Sequence, residues 1–133
     1  MAQSYPYLEK PGYLQVVAVL TLISGISNIV YPLIVGLVIV LGTFFVGAIC
    51  LPIIIPPIVL GIFEISYALD LMKDPVAVKE PNQVIAILEV VAILFGNVLS
   101  AIVGIVALVF YNDQSVKEYF ANLRRLRGEI VQA

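Results

Sequence analysis

No charged residue stands between Lys10 and Glu64. The apolar run that contains this stretch, Tyr13–Leu69, is 57 residues long with a single charge. Water cannot solvate such a segment as a loop, and a soluble core is too small to hide it. A helix crosses a hydrocarbon layer of about 30 Å in about 20 residues, so this run is too long for one crossing and comfortable for two. Gly42-Thr43 to Gly47 offers the turn. A second run, Gln83–Tyr111, has 29 residues and one charge, Glu89. At about 1.5 Å per residue it reaches roughly 43 Å, which suits one long, tilted helix. Composition agrees: 62% of residues are hydrophobic and 12% charged, with a mean hydropathy of +1.09, against about 45–50% and roughly 25% in soluble domains. The chain reads as an all-α integral membrane protein.

Punctuation sets the boundaries. Tyr5, Tyr7 and Tyr13 have the amphipathic rings that favour the headgroup zone, and Pro6 and Pro11-Gly12 prevent a helix from starting before Tyr13. Lys10 and Glu9 near the start, with a long apolar stretch after them, do not read as a cleaved signal peptide. The expected organisation is an interfacial N-tail (1–12), one transmembrane domain (13–111) with spans near 13–41, 46–69 and 83–111 joined by a polar linker (70–82), and a tail (112–133). Pro32 should kink the first span. Pro56-Pro57 either open the regular part of the second span or kink it.

Shifting the chain by 68 residues superposes Gln15-Val-Val-Ala-Val-Leu on Gln83-Val-Ile-Ala-Ile-Leu, and Gly36 on Gly104. In the second copy Ala86, Glu89, Gly96, Ser100 and Gly104 share one stripe if the helix is continuous. Gly96-x-x-x-Ser100-x-x-x-Gly104 is a doubled small-residue pattern that lets backbones approach closely in lipid. Ala18, Thr21, Gly25, Asn28, Pro32 and Gly36 have comparable spacing in the first copy. The stripe therefore favours a continuous 83–111 over a hairpin turning at Gly96-Asn97, whose arms of about 13 residues are too short to cross. Charge placement favours the opposite. Lys10, Lys73 and Lys79 precede a tail with Lys117, Arg124, Arg125 and Arg127, and four helices in two hairpins would put all seven on one side, as the positive-inside rule prefers. Three spans is the leading expectation and two hairpins the alternative, with a cytoplasmic C-tail under either.

Glu64 and Glu89 are the only acidic or basic residues well inside apolar runs. Each lies six residues from the connecting linker, about 9 Å into its helix, so both sit near one depth. Carboxylates brought together there would share a proton or a cation, with Tyr67 and Ser66 as neighbouring hydroxyls. The plain alternative is a pair of acids that snorkel or meet a partner's basic residue. Asn28 and Asn97 suit interhelical hydrogen bonding. In the tail, Ser115-Val-Lys-Glu118 has the form of a capping box. Val116, Phe120, Leu123, Leu126 and Ile130 recur at helical spacing, with Lys117, Arg124, Arg125 and Arg127 between them. Such a basic amphipathic helix would dock on an anionic membrane surface or in a partner's groove.

The absence of histidine removes imidazole from any metal site, haem site or catalytic triad. Cys50 is the only cysteine, no phosphate-cradling glycine motif occurs, and a net charge of −2 gives no argument for nucleic acid. No enzyme, metal or cofactor is expected. Ile23-Ser-Gly25-Ile-Ser-Asn28, Leu60-Gly61-Ile-Phe-Glu64-Ile, Gly104-Ile-Val-Ala-Leu-Val and Val116-Lys-Glu-Tyr-Phe120 together resemble small multi-span membrane proteins of bacteria, which implies an inner-membrane location and no particular activity. The last third is similar to dispanin-type proteins in placing a charged tail after a short span, but their paired cysteines are missing. The expected role is a small accessory subunit of a larger membrane assembly, or of a homo-oligomer, packing through Gly25, Gly36, Gly96, Ser100 and Gly104. The alternatives are a small oligomeric transporter or channel using Glu64 and Glu89, and a lipid-binding membrane-surface protein.

Overall fold

The computed structural model describes residues 8–132, so the expected anchors Tyr5 and Tyr7, and Pro6, lie outside the described residues, as does the side chain of Ile130. Among those residues every regular element is helical. Helix α1 (Gly12–Gly42) starts directly after Pro11, whose missing N–H is no loss at a helix start. It runs unbroken through Pro32. At 31 residues it is about 46 Å long, enough to cross a bilayer with tilt.

The chain reverses at Thr43–Phe45. Phe44 and Phe45 take left-handed φ values of 49° and 71°, and Thr43 closes the turn by donating to the Ile39 carbonyl (2.6 Å) and accepting from Gly47 N–H (2.7 Å). A 3₁₀ segment, Val46–Ile54, leads into α2 (Ile55–Met72). Pro56-Pro57 thus open the α-helix, since their missing donors cost nothing in its first turn. The α1–α2 hairpin is drawn tight by two glycines. A Cβ on Gly25 would stand 2.9 Å from the Gly61 carbonyl, and one on Gly61 would stand 2.6 Å from that of Gly25. Helix α1 and the helical segment Val46–Met72 are each long and apolar enough to cross a membrane, and the count rises to three if α4 and α5, bent by 68° at their junction, are taken as one span.

The expected continuous helix over 83–111 is not what forms. The run divides into α3 (Gln83–Val91), a 3₁₀ turn (Ala92–Phe95), and α4 (Val98–Tyr111). The break is at Gly96, with φ 81°, a backbone conformation that suits glycine. Asn97 follows as the N-cap of α4, its side-chain oxygen accepting from Ser100 N–H at 3.1 Å. The two arms then pack against each other. A Cβ on Gly104 would lie 2.5 Å from the Ala86 carbonyl and 2.8 Å from Glu89 Cβ. Gly104 and Ala86, read as neighbours along one stripe, are in fact partners across a hairpin. The 68-residue echo marks no structural repeat either, because its first copy is a continuous helix and its second is folded back.

The tip of this second hairpin reaches Asn28 and Ser27, halfway along α1: Asn97 Nδ2 donates to Asn28 Oδ1 at 2.6 Å and to Ser27 Oγ at 3.4 Å. At the other end, Leu14, Tyr67, Leu71, Val76, Ala86, Ala107, Tyr111 and the tail form one buried cluster. The start of α1, the linker, and α5 (Gln114–Gln132) therefore share that end. Lys10 reinforces it by donating to the carbonyls of Leu71 and, at 3.3 Å, Lys73 at the exit of α2, where helix carbonyls lack partners. Large aliphatic side chains cover the outside of α1, α2 and α4, among them Leu37, Val38, Ile62, Ile102 and Val109, each more than half exposed.

Candidate functional site

Among the mostly small or apolar side chains that face inward between the hairpins is one set of polar ones. Thr21, Ser24 and Asn28 on α1, Glu64 on α2, Glu89 on α3, Asn97 at the hairpin turn and Ser100 on α4 are all buried. On α1 the residues recur at three- and four-residue intervals, so they share one face. Gly25 and Gly61 let that face approach α2, and Gly104 lets α4 approach α3. Glycine packing is what brings four helices' polar groups to one place.

Asn28 is the hub. Its side-chain amide donates to Glu64 Oε1 at 2.8 Å, Glu64 Oε2 at 3.0 Å and Ser100 Oγ at 3.0 Å, while its carbonyl accepts from Asn97. Ser24 Oγ donates to Ser100 Oγ at 2.9 Å. A hydrogen-bonded chain thus runs from the hairpin tip through Asn97 and Asn28 to Glu64, and Glu64 is fully buried. Glu89 is equally buried but differs in one respect: neither of its carboxyl oxygens has a hydrogen-bond partner. Its electrostatic neighbours are the Glu64 carboxyl and, on α1, the Thr21 hydroxyl. Buried polar atoms are nearly always satisfied, so two free oxygens on one enclosed acid single out this position.

The expected site residues distribute unevenly. Glu64 and Glu89 come together, and Ser100 joins them. Gly25 and Gly104 sit at the close contacts around the cluster, whereas Gly36 makes ordinary contacts with Leu51 and Ile54. Gly96 lies on no helix face; it forms the turn beneath the Tyr31 hydroxyl. Ser66 points away, donating to the Ile62 carbonyl at 3.0 Å on the exposed side of α2. Tyr67 is buried one turn nearer the linker than Glu64, and its hydroxyl accepts from Asn82 N–H at 2.8 Å. Thr21, Ser24 and Tyr111 were not singled out as site residues, although Thr21 already stood on the α1 stripe.

The tail turns inward. Phe120 and Leu123 are buried against the protein's own linker. Arg127 donates to the carbonyls of Val76 and Val78, and Arg124 pairs with Glu80 at 2.8 Å. Lys117 and Arg125 stay exposed. The cap of α5 is Asp113 rather than Ser115: its carboxylate accepts from Ser115 N–H at 2.9 Å and from the Ser115 hydroxyl. Glu118 instead accepts from the Gln114 side chain at 2.8 Å.

A crevice of about 980 Å³ opens between the linker and α5. Lys79, Glu80 and Arg124 rim it, and Tyr67 and Tyr111 form part of its wall. No family model, curated protein or solved structure matches the chain.

Proposed function

We propose that this membrane protein is a small proton-conducting or proton-coupled transporter whose working groups are Glu89 and Glu64. One observation carries the reading: Glu89 is fully enclosed and neither of its carboxyl oxygens has a hydrogen-bond partner, with the Glu64 carboxyl as its electrostatic neighbour. A bare carboxylate in that setting is costly. A bound proton removes the charge, and its release to a partner restores it. The oxygens of Ser24, Asn28, Asn97, Ser100 and Glu64 already take part in hydrogen bonds. The two Glu89 oxygens, with the Thr21 hydroxyl beside them, suit a proton and fall short of the six to eight oxygens that a calcium ion gathers.

The surrounding architecture supports the same reading. The α3–α4 hairpin ends halfway along α1, so it enters the bilayer and returns without crossing, while α1 and α2 cross. Irregular backbone at such depth is tolerated where it is enclosed by protein, and transporters commonly build midplane sites from broken helices. All seven basic residues then lie on one side, which favours a cytoplasmic linker and C-terminus. The accessory-subunit reading draws less support, because Gly25, Ser100 and Gly104 are occupied within the chain. The surface-docking reading loses Phe120 and Leu123 in the same way.

The test is proton flux into liposomes carrying the purified full chain and an enclosed pH-sensitive dye. After an external pH step, wild-type vesicles should equilibrate faster than empty ones. Glu89→Gln vesicles should match empty ones while keeping the wild-type circular dichroism and size. Equal flux from wild type and Glu89→Gln would overturn the proposal.

A further inference from the structure

Glu89 is sealed from solvent, so a proton reaching it needs a route, and the fold holds one candidate. The crevice between the linker and α5 is walled in part by two phenols. Tyr111 is 2% exposed and Tyr67 7%. Tyr67 lies one turn, about 5 Å, from Glu64 toward the linker, and Tyr111 two turns, about 10 Å, from Gly104 in the same direction. Gly104 is the residue that packs on Glu89 Cβ. Both rings therefore stand between the crevice and the acids. Because the Tyr67 oxygen accepts from Asn82 N–H, its own O–H is free to point onward.

Resting on the reading that Glu89 exchanges a proton, we propose that this crevice is the cytoplasmic entrance and that Tyr67 and Tyr111 relay the proton to Glu89. In each transfer the Glu89 side chain, whose oxygens have no partner at rest, closes to hydrogen-bond distance of a phenol, which gives its O–H proton to the carboxylate and takes one from a water in the crevice, leaving hydroxide there. One O–H bond breaks and one forms at the phenol, the net change is one proton moved from water to Glu89, and no electrons are exchanged. The charged groups around the entrance are Lys79 and Glu80 from the linker and Lys117 and Arg124 from α5. Glu80 and Arg124 pair with each other, which leaves Lys79 and Lys117 to set the local field.

The experiment follows the carboxyl infrared band after a rapid pH step, on the full chain in lipid. Glu89→Gln identifies the band; if it removes no titrating signal, the proton-site reading itself fails. Given a Glu89 band, Tyr111→Phe and the double variant Tyr67→Phe/Tyr111→Phe should keep its amplitude and slow its appearance by at least about tenfold, since positioned proton donors commonly contribute two or more orders of magnitude. Tyr111→Phe is the cleaner variant, because Tyr67→Phe also strips Asn82 N–H of its partner. A bulky hydrophilic maleimide on Ala77→Cys, in a Cys50→Ser background, should slow the signal in the same way, as Ala77 is exposed and lines the crevice. Wild-type rates in Tyr111→Phe and in the blocked Ala77→Cys protein would overturn the relay while leaving the acid site standing.

Discussion

At Gly104 an added Cβ would stand 2.5 Å from the Ala86 carbonyl and 2.8 Å from both Glu89 Cβ and Val90 N. Two of those three atoms are backbone, so nothing flexible can give way and α3 must move. Gly104→Ala should destabilise the folded protein by about 1–3 kcal/mol, the usual range for overpacking. Gly42→Ala, where a Cβ meets nothing within 4 Å, should cost nothing. Thermal unfolding in one detergent checks both. Asn28 makes a different case, since it is held by hydrogen bonds rather than by space. Interhelical hydrogen bonds in membranes average about 0.6 kcal/mol each. Removing a hub strands its partners, however, and a buried polar group left unpaired costs about 1–3 kcal/mol. Asn28→Ala should therefore lose more than any single bond is worth, and Asn97→Ala less, because Asn97 is an outer member of the same chain. A double variant that loses no more than Asn28→Ala alone, measured by the same unfolding, would identify one cooperative network.

Among the elements, α5 is tied to the linker by a small set of directed contacts. The Tyr119 hydroxyl accepts from Val76 N–H at 3.2 Å with both residues buried. Tyr119→Phe leaves that amide unpaired and should raise hydrogen exchange at Val76, at a cost of about 1–3 kcal/mol. Burial pushes the Tyr119 hydroxyl above its ordinary value of 10.0, with the Val76 hydrogen bond opposing. A group whose folded value is raised lends stability that is complete below the unfolded value and is lost as pH rises through the folded one. The clamp should hold up to about pH 10 and loosen above it, and exchange at Val76 measured across that range reads it. Asp113 titrates at the other extreme. The Ser115 hydroxyl, and then its backbone N–H, hold the Asp113 carboxyl below its ordinary value of 3.8, so the start of α5 should fray only in strong acid. The sequence located α5 and its apolar face but not what that face covers, because periodicity reports a buried side and never its partner. The same limit governed the 83–111 run. Small residues four apart serve a continuous helix packing on a neighbour as well as two arms packing on each other. What decides is the Asn97–Asn28 hydrogen bond, which joins positions 69 apart in sequence and leaves no local trace. Composition and patterning sufficed for the long apolar helices and for the first hairpin. The convergence of Thr21, Ser24, Asn28 and Ser100 on Glu64 and Glu89 required the fold.

For the whole molecule the two hairpins have unequal reach, and that inequality is measurable. Helix α1 is about 46 Å long, while the 13 residues from Gln83 to Phe95 reach only about 20 Å, short of a hydrocarbon core of about 30 Å. The linker, with Lys73 and Lys79, and the basic tail share one end, and the Thr43–Phe45 turn occupies the other. In a Cys50→Ser background, cysteines at Ala77 and Gln132 should react with an impermeant maleimide from one side of the membrane, and one at Thr43 from the opposite side. A cysteine at Leu94, on the tip of the second hairpin and 80% exposed on the protein surface, should react from neither side, because what it meets there is lipid. Three crossings would instead separate Ala77 from Gln132. Four full crossings would keep those two together but bring Leu94 out beside Thr43. Only a hairpin that enters and returns leaves Leu94 silent while Ala77 and Gln132 agree, and only that arrangement holds the Asn97 turn at the depth of Asn28 and the two acids.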